Sequence, residues 1–232
     1  MKNSEIVQIS GLVKKFPMAG GYFTALNNID LTFGEGEFAG FVGPSGSGKT
    51  TLLNIIGSLD TPTEGKAIVL DNDINQLSAK KAALLRRKHL GFIFQTYNLL
   101  PVYTVYENVE FPLLLFNMGA SERRKAVSEV LEWVGLSDKI KSKPAQLSGG
   151  ECQRVAIARA VVKKPKVVLA DEPTANLDSD NSHHILQTME NLNKDLKTTF
   201  LFATHDDKVI KYLKRKILLQ DGKVVSDNVI TN

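Results

Sequence analysis

A chain of 232 residues, 43% hydrophobic and 23% charged, has ordinary globular composition and enough material for one large domain or two small ones. No apolar run approaches about 18 residues, the N-terminus lacks the basic-then-apolar layout of a secretory signal, and the single Cys152 excludes an internal disulfide and fits a reducing compartment. The net charge of +4 sits in short runs (Arg86-Arg87-Lys88, Arg123-Arg124-Lys125, Lys163-Lys164, Lys214-Arg215-Lys216). These read as solvated helix faces, with a nearby anionic surface such as a membrane as the alternative, and not as the basic stripe of a nucleic-acid binder.

Residues 5–42 read as β-rich. Ile6–Ile9 and Ile29–Phe33 alternate apolar and polar, and Phe38-Ala39-Gly40-Phe41-Val42 is a continuous apolar strand. Thr51–Ile56 is helical, and Lys66–Leu70 is a strand after the turn-like Thr61–Gly65. Gly91–Gln95 is a short strand ending in glutamine. From about 97 to 163 the pattern turns helical, with Ser121 as N-cap of a helix to about Trp133, and a second helix from Gly150 to Val162 ended by Pro165. Strand and helix then alternate: Val167–Ala170, a helix over about 179–195, Thr199–Ala203, and a hairpin of Ile217–Gln220 and Lys223–Val225 across Asp221-Gly222. No repeat, low-complexity tract or long linker interrupts this α/β order.

Three motifs carry chemistry. Gly43-Pro44-Ser45-Gly46-Ser47-Gly48-Lys49-Thr50 fits the phosphate-loop pattern, between an apolar strand and a helix. Its glycines let backbone N–H groups turn toward an anion, and the following helix N-terminus adds partial positive charge. Lys49 is placed for the β- and γ-phosphates and the Thr50 hydroxyl for Mg²⁺. Downstream, Val167-Val168-Leu169-Ala170 ends in Asp171-Glu172. In a parallel sheet such strand ends converge beside the phosphate loop, so Asp171 is a candidate for the Mg²⁺ shell and Glu172 for accepting a proton from attacking water. The bland alternative is a pair of solubilising acids. The third motif, Leu147-Ser148-Gly149-Gly150, places a serine at a helix N-cap and two glycines where backbone can approach an anion.

With that third motif, in this order and spacing, the sequence resembles the ATP-binding cassette (ABC) ATPases over about residues 5–226. The resemblance implies an α/β phosphate-loop NTPase core, mostly parallel sheet flanked by helices, with an N-terminal antiparallel β subdomain and an inserted α-helical subdomain. It implies one ATPase domain over 1–232, with 1–95 and 164–232 as core and 96–163 as the helical insertion. Two cassettes pair head to tail in the family. Each ATP then lies between one phosphate loop (Gly43 to Thr51) and the partner's Ser148, Gly149 and Gly150, with Asp178 of Ala175-Asn176-Leu177-Asp178 crossing between subunits. Gln95 matches the glutamine that senses Mg²⁺ and attacking water, His205 the histidine that contacts the γ-phosphate, and Phe16 the aromatic that stacks on adenine, with Tyr22 competing for that place. Glu172, His205 and Lys49 form the implied catalytic set, and Thr50, Gln95 and Asp171 the metal set. Cys152 departs from the family's usual glutamine and reads as a packing thiol rather than a redox sensor.

Longer stretches, among them Leu59–Gly65 and Asp171–Ser179, look like the bacterial and archaeal cassettes of the lipoprotein-releasing, macrolide-export and cell-division type. The implied role is an ATP-hydrolysing subunit, peripheral on the cytoplasmic face of the cell membrane, that drives a transmembrane permease. The other reading is a nucleotide-controlled module that regulates a membrane partner without transport, as in cell division. Residues Tyr97 to Phe111, dense in aromatic and aliphatic side chains, are expected partly as subdomain core and partly as a groove for that partner. Repair, chromosome and ribosome cassettes carry long coiled coils, zinc-binding cysteines or a second phosphate loop, none of which this sequence has. No nucleic-acid partner is expected. No further C-terminal regulatory domain is expected after the hairpin.

Overall fold

A computed structural model of the chain describes residues 5–230. Glu5–Met18 (β1) and Gly21–Gly34 (β2) form a long antiparallel hairpin. Its inner half buries Val7, Ile9, Leu12, Ile29, Leu31 and Phe33, whereas its outer half, beyond Lys15 and Ala25, stands exposed. Both strands run well past the predicted segments because that outer half is held by cross-strand pairing and has no buried face to produce a period. Phe38–Val42 is β3, Glu64–Val69 is β4 and Asn72–Asp73 is β5. The first sheet has the order β2-β1-β4-β5 and is antiparallel throughout.

The second sheet combines β3 with Leu90–Ile93 (β6), Val167–Asp171 (β7), Thr199–Thr204 (β8), Arg215–Gln220 (β9) and Lys223–Val229 (β10), in the order β10-β9-β3-β8-β7-β6. All its neighbours are parallel except the β9–β10 hairpin at one edge. Strands β3, β7 and β8 are buried almost end to end, as strands covered on both faces must be. Asp221 and Gly222 both take left-handed φ (49° and 72°), the turn whose twist matches an antiparallel hairpin.

The helices are Lys49–Ile56 (α1), Ala79–His89 (α2), Val105–Glu110 (α3), Ala120–Trp133 (α4), Gly149–Val161 (α5), Ser179–Leu196 (α6) and Asp207–Ile210 (α7). One core lies between the antiparallel sheet, α1 and one face of the parallel sheet, around Phe33, Phe41, Leu52 and Ile55. The other joins the opposite face of that sheet to α3–α6 through Val130, Leu131, Ile157, Met189 and Phe200. Other predicted boundaries shift as well. Helix α4 is capped by Gly119 and contains Ser121 in its first turn, since Gly119 already holds an extended backbone (φ −64°, ψ 153°). Strand β6 ends at Ile93, so Gln95 lies two residues beyond it in a loop.

A nucleotide-sized cleft at the strand ends

The chain reverses direction across the sheet between β3 and its later neighbours, so the C-terminal ends of β3, β8 and β7 open side by side. Such a switch point is where an open α/β sheet binds ligands. The cleft there encloses about 460 Å³ and is lined by Ser45, Gly46, Gly48, Lys49, Thr50 and Thr51 of the phosphate loop, by Gln95, Asp171, Glu172 and His205, and by Phe16, Phe23 and Ala25 of the β1–β2 hairpin. The sequence therefore placed eleven of its candidates in one cavity, drawn from five separate segments.

The loop between β3 and α1 wraps back on itself. Gly48, at the N-cap of α1, has φ 100°, and a Cβ there would press on the Ala25 carbonyl and the Leu26 side chain. Lys49 is buried and its Nζ donates to the carbonyls of Gly43 (2.8 Å) and Pro44 (2.9 Å). Burial lowers its pKa, and the nearby Glu172 and Asp171 carboxylates oppose that shift. The Ser47 hydroxyl is buried in the loop with no partner among the described residues. Thr50 Oγ1 donates to Asp171 Oδ1 at 3.1 Å, bringing the end of β7 against the start of α1. Burial raises the Asp171 pKa, partly countered by that hydroxyl.

Glu172 follows Asp171 with a left-handed backbone (φ 45°), rare for a residue with a side chain. Its N–H donates to Ala203 O (2.9 Å). Its carboxylate is held at both oxygens: Oε1 lies 2.6 Å from His205 Nδ1, and Oε2 accepts from Thr204 Oγ1 at 3.1 Å. Asp206 N–H donates to the same threonine oxygen (3.0 Å), which fixes the hydroxyl's direction. Thr204 was missed from the sequence, although its place at the end of β8 beside His205 could have suggested it.

At the hairpin, Phe16 and Phe23 are direct cross-strand partners and both line the cleft. Tyr22 pairs with Pro17, is 74% exposed and does not reach it. Phe23 was also missed. Its signal lay in the hairpin register, which pairs it with Phe16.

Ser148, Gly149, Gly150 and Asp178 are not brought to this cleft. Ser148 caps α5 through a reciprocal box: Glu151 N–H donates to Ser148 Oγ (3.2 Å) and Ser148 N–H to Glu151 Oε2 (2.8 Å). That N–H holds the Glu151 carboxyl below its ordinary pKa. Gly150 packs so closely on Asn181 that a Cβ would overlap its amide, and Asn181 in turn donates twice to Asp178, the N-cap of α6. Cys152 is buried with its thiol toward Pro144 O (3.7 Å), and burial pushes its pKa up, the setting of a packing thiol.

The ABC transporter family matches residues 26–175. The lipoprotein-releasing system ATP-binding protein LolD of Colwellia psychrerythraea is 42% identical over 97% of this chain and 88% of its own length. The macrolide export ATP-binding/permease protein MacB of Hyphomonas neptunium is 42% identical over 96% of this chain and 34% of its own. Among solved structures, the cassette MJ0796 of Methanocaldococcus jannaschii, in a dimeric post-hydrolysis state bound to ADP and Pi, superimposes with a TM-score of 0.89 at 41% identity, covering 97% of this chain and 99% of that one. A phosphate loop, a strand ending in paired carboxylates and a Leu-Ser-Gly-Gly helix cap thus stand on the same fold as those cassettes, and this chain belongs to the ABC transporter family as an ABC-type ATPase.

Proposed function

We propose that two copies of this chain close around two ATP molecules, hydrolyse them, and so drive a conformational change in a transmembrane partner of the lipoprotein-releasing or macrolide-export type. One observation carries the pairing. The exposed Ser148-Gly149 cap has the character of an anion site, yet it does not line the phosphate cleft of its own chain. A second cassette brings it to a nucleotide. Asp178, adjacent to that cap through Asn181, would cross at the same interface. The relative solved as a dimer supports this reading.

Within the cleft, the phosphate-loop N–H groups and Lys49 bind the phosphates, and Phe16, backed by Phe23, stacks on adenine. Glu172 takes a proton from the attacking water and His205 meets the γ-phosphate. The oxygen donors at hand (the Thr50 hydroxyl, the Asp171 carboxylate and the Gln95 amide) suit Mg²⁺. That ion prefers one or two carboxylates completed by water and substrate phosphates over an all-protein cage. Held there, Mg²⁺ would supply positive charge against the phosphates. His205 and Thr204 each hold one oxygen of Glu172, which fixes the direction of the carboxylate in the cleft.

The chain acts as one ATPase domain with 96–163 as its helical insertion, and works at the cytoplasmic face of the membrane. Among the described residues no helix is long and apolar enough to cross a bilayer. The partner's groove lies beside Gln95. Leu99, Val105 and Tyr106 belong to the subdomain core, while Phe111 and Pro112 face a cavity of about 270 Å³ against Phe92 and Phe94. Tyr103 stands exposed beside Phe111 at 6.4 Å between ring centroids. The same cassette working as a nucleotide-controlled regulator without transport would use identical residues.

The test is size-exclusion chromatography with light scattering on Glu172→Gln, with and without Mg-ATP. An ATP-dependent passage from monomer to dimer is expected. Persistent monomer with tight ATP binding would assign the second half-site to a different protein.

A further inference from the structure

Gln153 lies on α5, one helical turn beyond Gly149, and is fully buried (0% exposed). Its Nε2 donates to the Pro173 carbonyl at 2.7 Å, and its Oε1 is buried with no partner among the described residues. A buried amide left half-satisfied is unfavourable relative to an apolar side chain of the same shape, so packing does not explain glutamine here. What the side chain does reach is the turn just past Glu172, at the carbonyl of the next residue. That turn needs holding. Glu172 has a left-handed φ of 45° directly before a proline, a residue that further restricts its predecessor. On the sheet side the turn is tied by Glu172 N–H to Ala203 O (2.9 Å) and on its far side by Thr174 Oγ1 to Asp206 (2.9 Å). Gln153 supplies the tie from α5, the helix whose N-terminus is the Ser148–Gly150 cap.

We infer that Gln153 is a positioning residue that couples the two nucleotide sites of the dimer. A nucleotide held by the partner seats against Ser148–Gly150, α5 moves as one rigid helix, and Gln153 carries that displacement to the Pro173 carbonyl and thus to Glu172. Each chain's carboxylate is set by the nucleotide bound to the opposite phosphate loop. The inference rests on the reading that Ser148–Gly150 meets the partner's ATP and that Glu172 is the base. Both sites then fire together, since neither carboxylate is placed until the opposite cap is filled.

The variant is Gln153→Met, of similar length with no amide, and Gln153→Leu serves where methionine overpacks. Expected for Gln153→Met is a Hill coefficient for ATP hydrolysis that falls from near 2, the number of sites, to near 1. Alongside it, kcat falls about tenfold, while affinity for a fluorescent ATP analogue in EDTA stays within about twofold of wild type (a tenfold change is the loss of one well-placed interaction). Introduced into Glu172→Gln, the substitution leaves the ATP-dependent dimer intact, because the cap is untouched. A folded Gln153→Met with wild-type cooperativity and kcat, changed only in its unfolding midpoint, overturns the inference and leaves a packing role. A wild-type chain without ATP cooperativity, whose Glu172→Gln form stays monomeric, overturns the dimer reading itself, and the two failures are distinguished by which protein shows them.

Discussion

At the scale of single residues, the chemistry of this chain is written in local strings. Lys49, Thr50, Asp171 and Glu172 were legible because each belongs to a motif whose spacing fixes a strand end or a helix start, and the sheet order then gathers those ends. The adenine-stacking candidate was not fixed that way. Phe16 matches the family aromatic and Tyr22 competes with it in the sequence, and the β1–β2 register puts Phe16 opposite Phe23 over the cleft and Tyr22 outside it. Phe16→Ala should weaken binding of a fluorescent ATP analogue by about tenfold, since stacking on a base contributes about 1–3 kcal/mol. Tyr22→Ala should leave it within about twofold. Equal losses from both would mean that the hairpin tip folds over the nucleotide. Gln153 was illegible for a different reason: its partner is a backbone carbonyl 20 positions away, and no residue pattern marks a carbonyl.

At the scale of elements, sequence periodicity found every strand with a buried face and missed α2. That helix buries only Leu85 and carries Arg86, Arg87, Lys88 and His89 in its last turn, so no apolar stripe announces it. Its signals were the Ser78 cap and basic residues set against the helix C-terminus, where they oppose the dipole's negative end. The end of α5 meets this helix through Lys163, whose Nζ donates to Arg86 O at 2.7 Å. Burial pulls the Lys163 pKa down from 10.5 to about 8. The sign follows from proton counts. Between about pH 8 and 10.5 the unfolded chain binds more protons at this site than the folded one, so stability contributed by this site rises with pH across that window. Below it the burial penalty is present in full. Lys163→Met removes the penalty, and Arg86 O keeps the Leu90 N–H as donor. In urea unfolding, the variant's advantage over wild type should therefore shrink by about 1–2 kcal/mol from pH 7.5 to 10, a value discounted for partial exposure. A difference that stays flat with pH would show that the ammonium keeps its water.

At the scale of the whole molecule, two sheets packed on one shared core must act as one body if hairpin rings are to stay over a cleft built at the ends of β3, β7 and β8. Arg215 on β9 adds a polar tie at the edge of that junction. Its guanidinium donates to Asp227 twice (2.8 and 2.6 Å), to Glu37 (2.9 Å) and to the Thr32 carbonyl of β2 (2.7 Å), and it lies 4.8 Å from the centroid of Phe33. Those partners hold it more firmly protonated than an ordinary arginine. The side chain ties the antiparallel sheet, the turn into β3 and the edge strand β10 at one point, which no local pattern predicts because Thr32 and Glu37 lie 183 and 178 positions away. Lysine cannot replace it. A single ammonium has no fork to satisfy a carboxylate bidentately while also reaching Thr32 O and Glu37. Arg215→Lys should lower stability by about 1 kcal/mol, and Arg215→Met by about 2 kcal/mol, since the latter leaves the partly screened Glu37 and Asp227 carboxylates without their cation. Each should also loosen the hairpin against the core, so ATP affinity falls with the same rank order while the phosphate loop itself is unaltered. Calorimetry and nucleotide titration on the same preparations separate the two effects. A stability loss with unchanged ATP affinity would show that the hairpin is seated by its hydrophobic core alone, with Arg215 sealing the edge of the sheet and not holding the adenine side of the cleft in place.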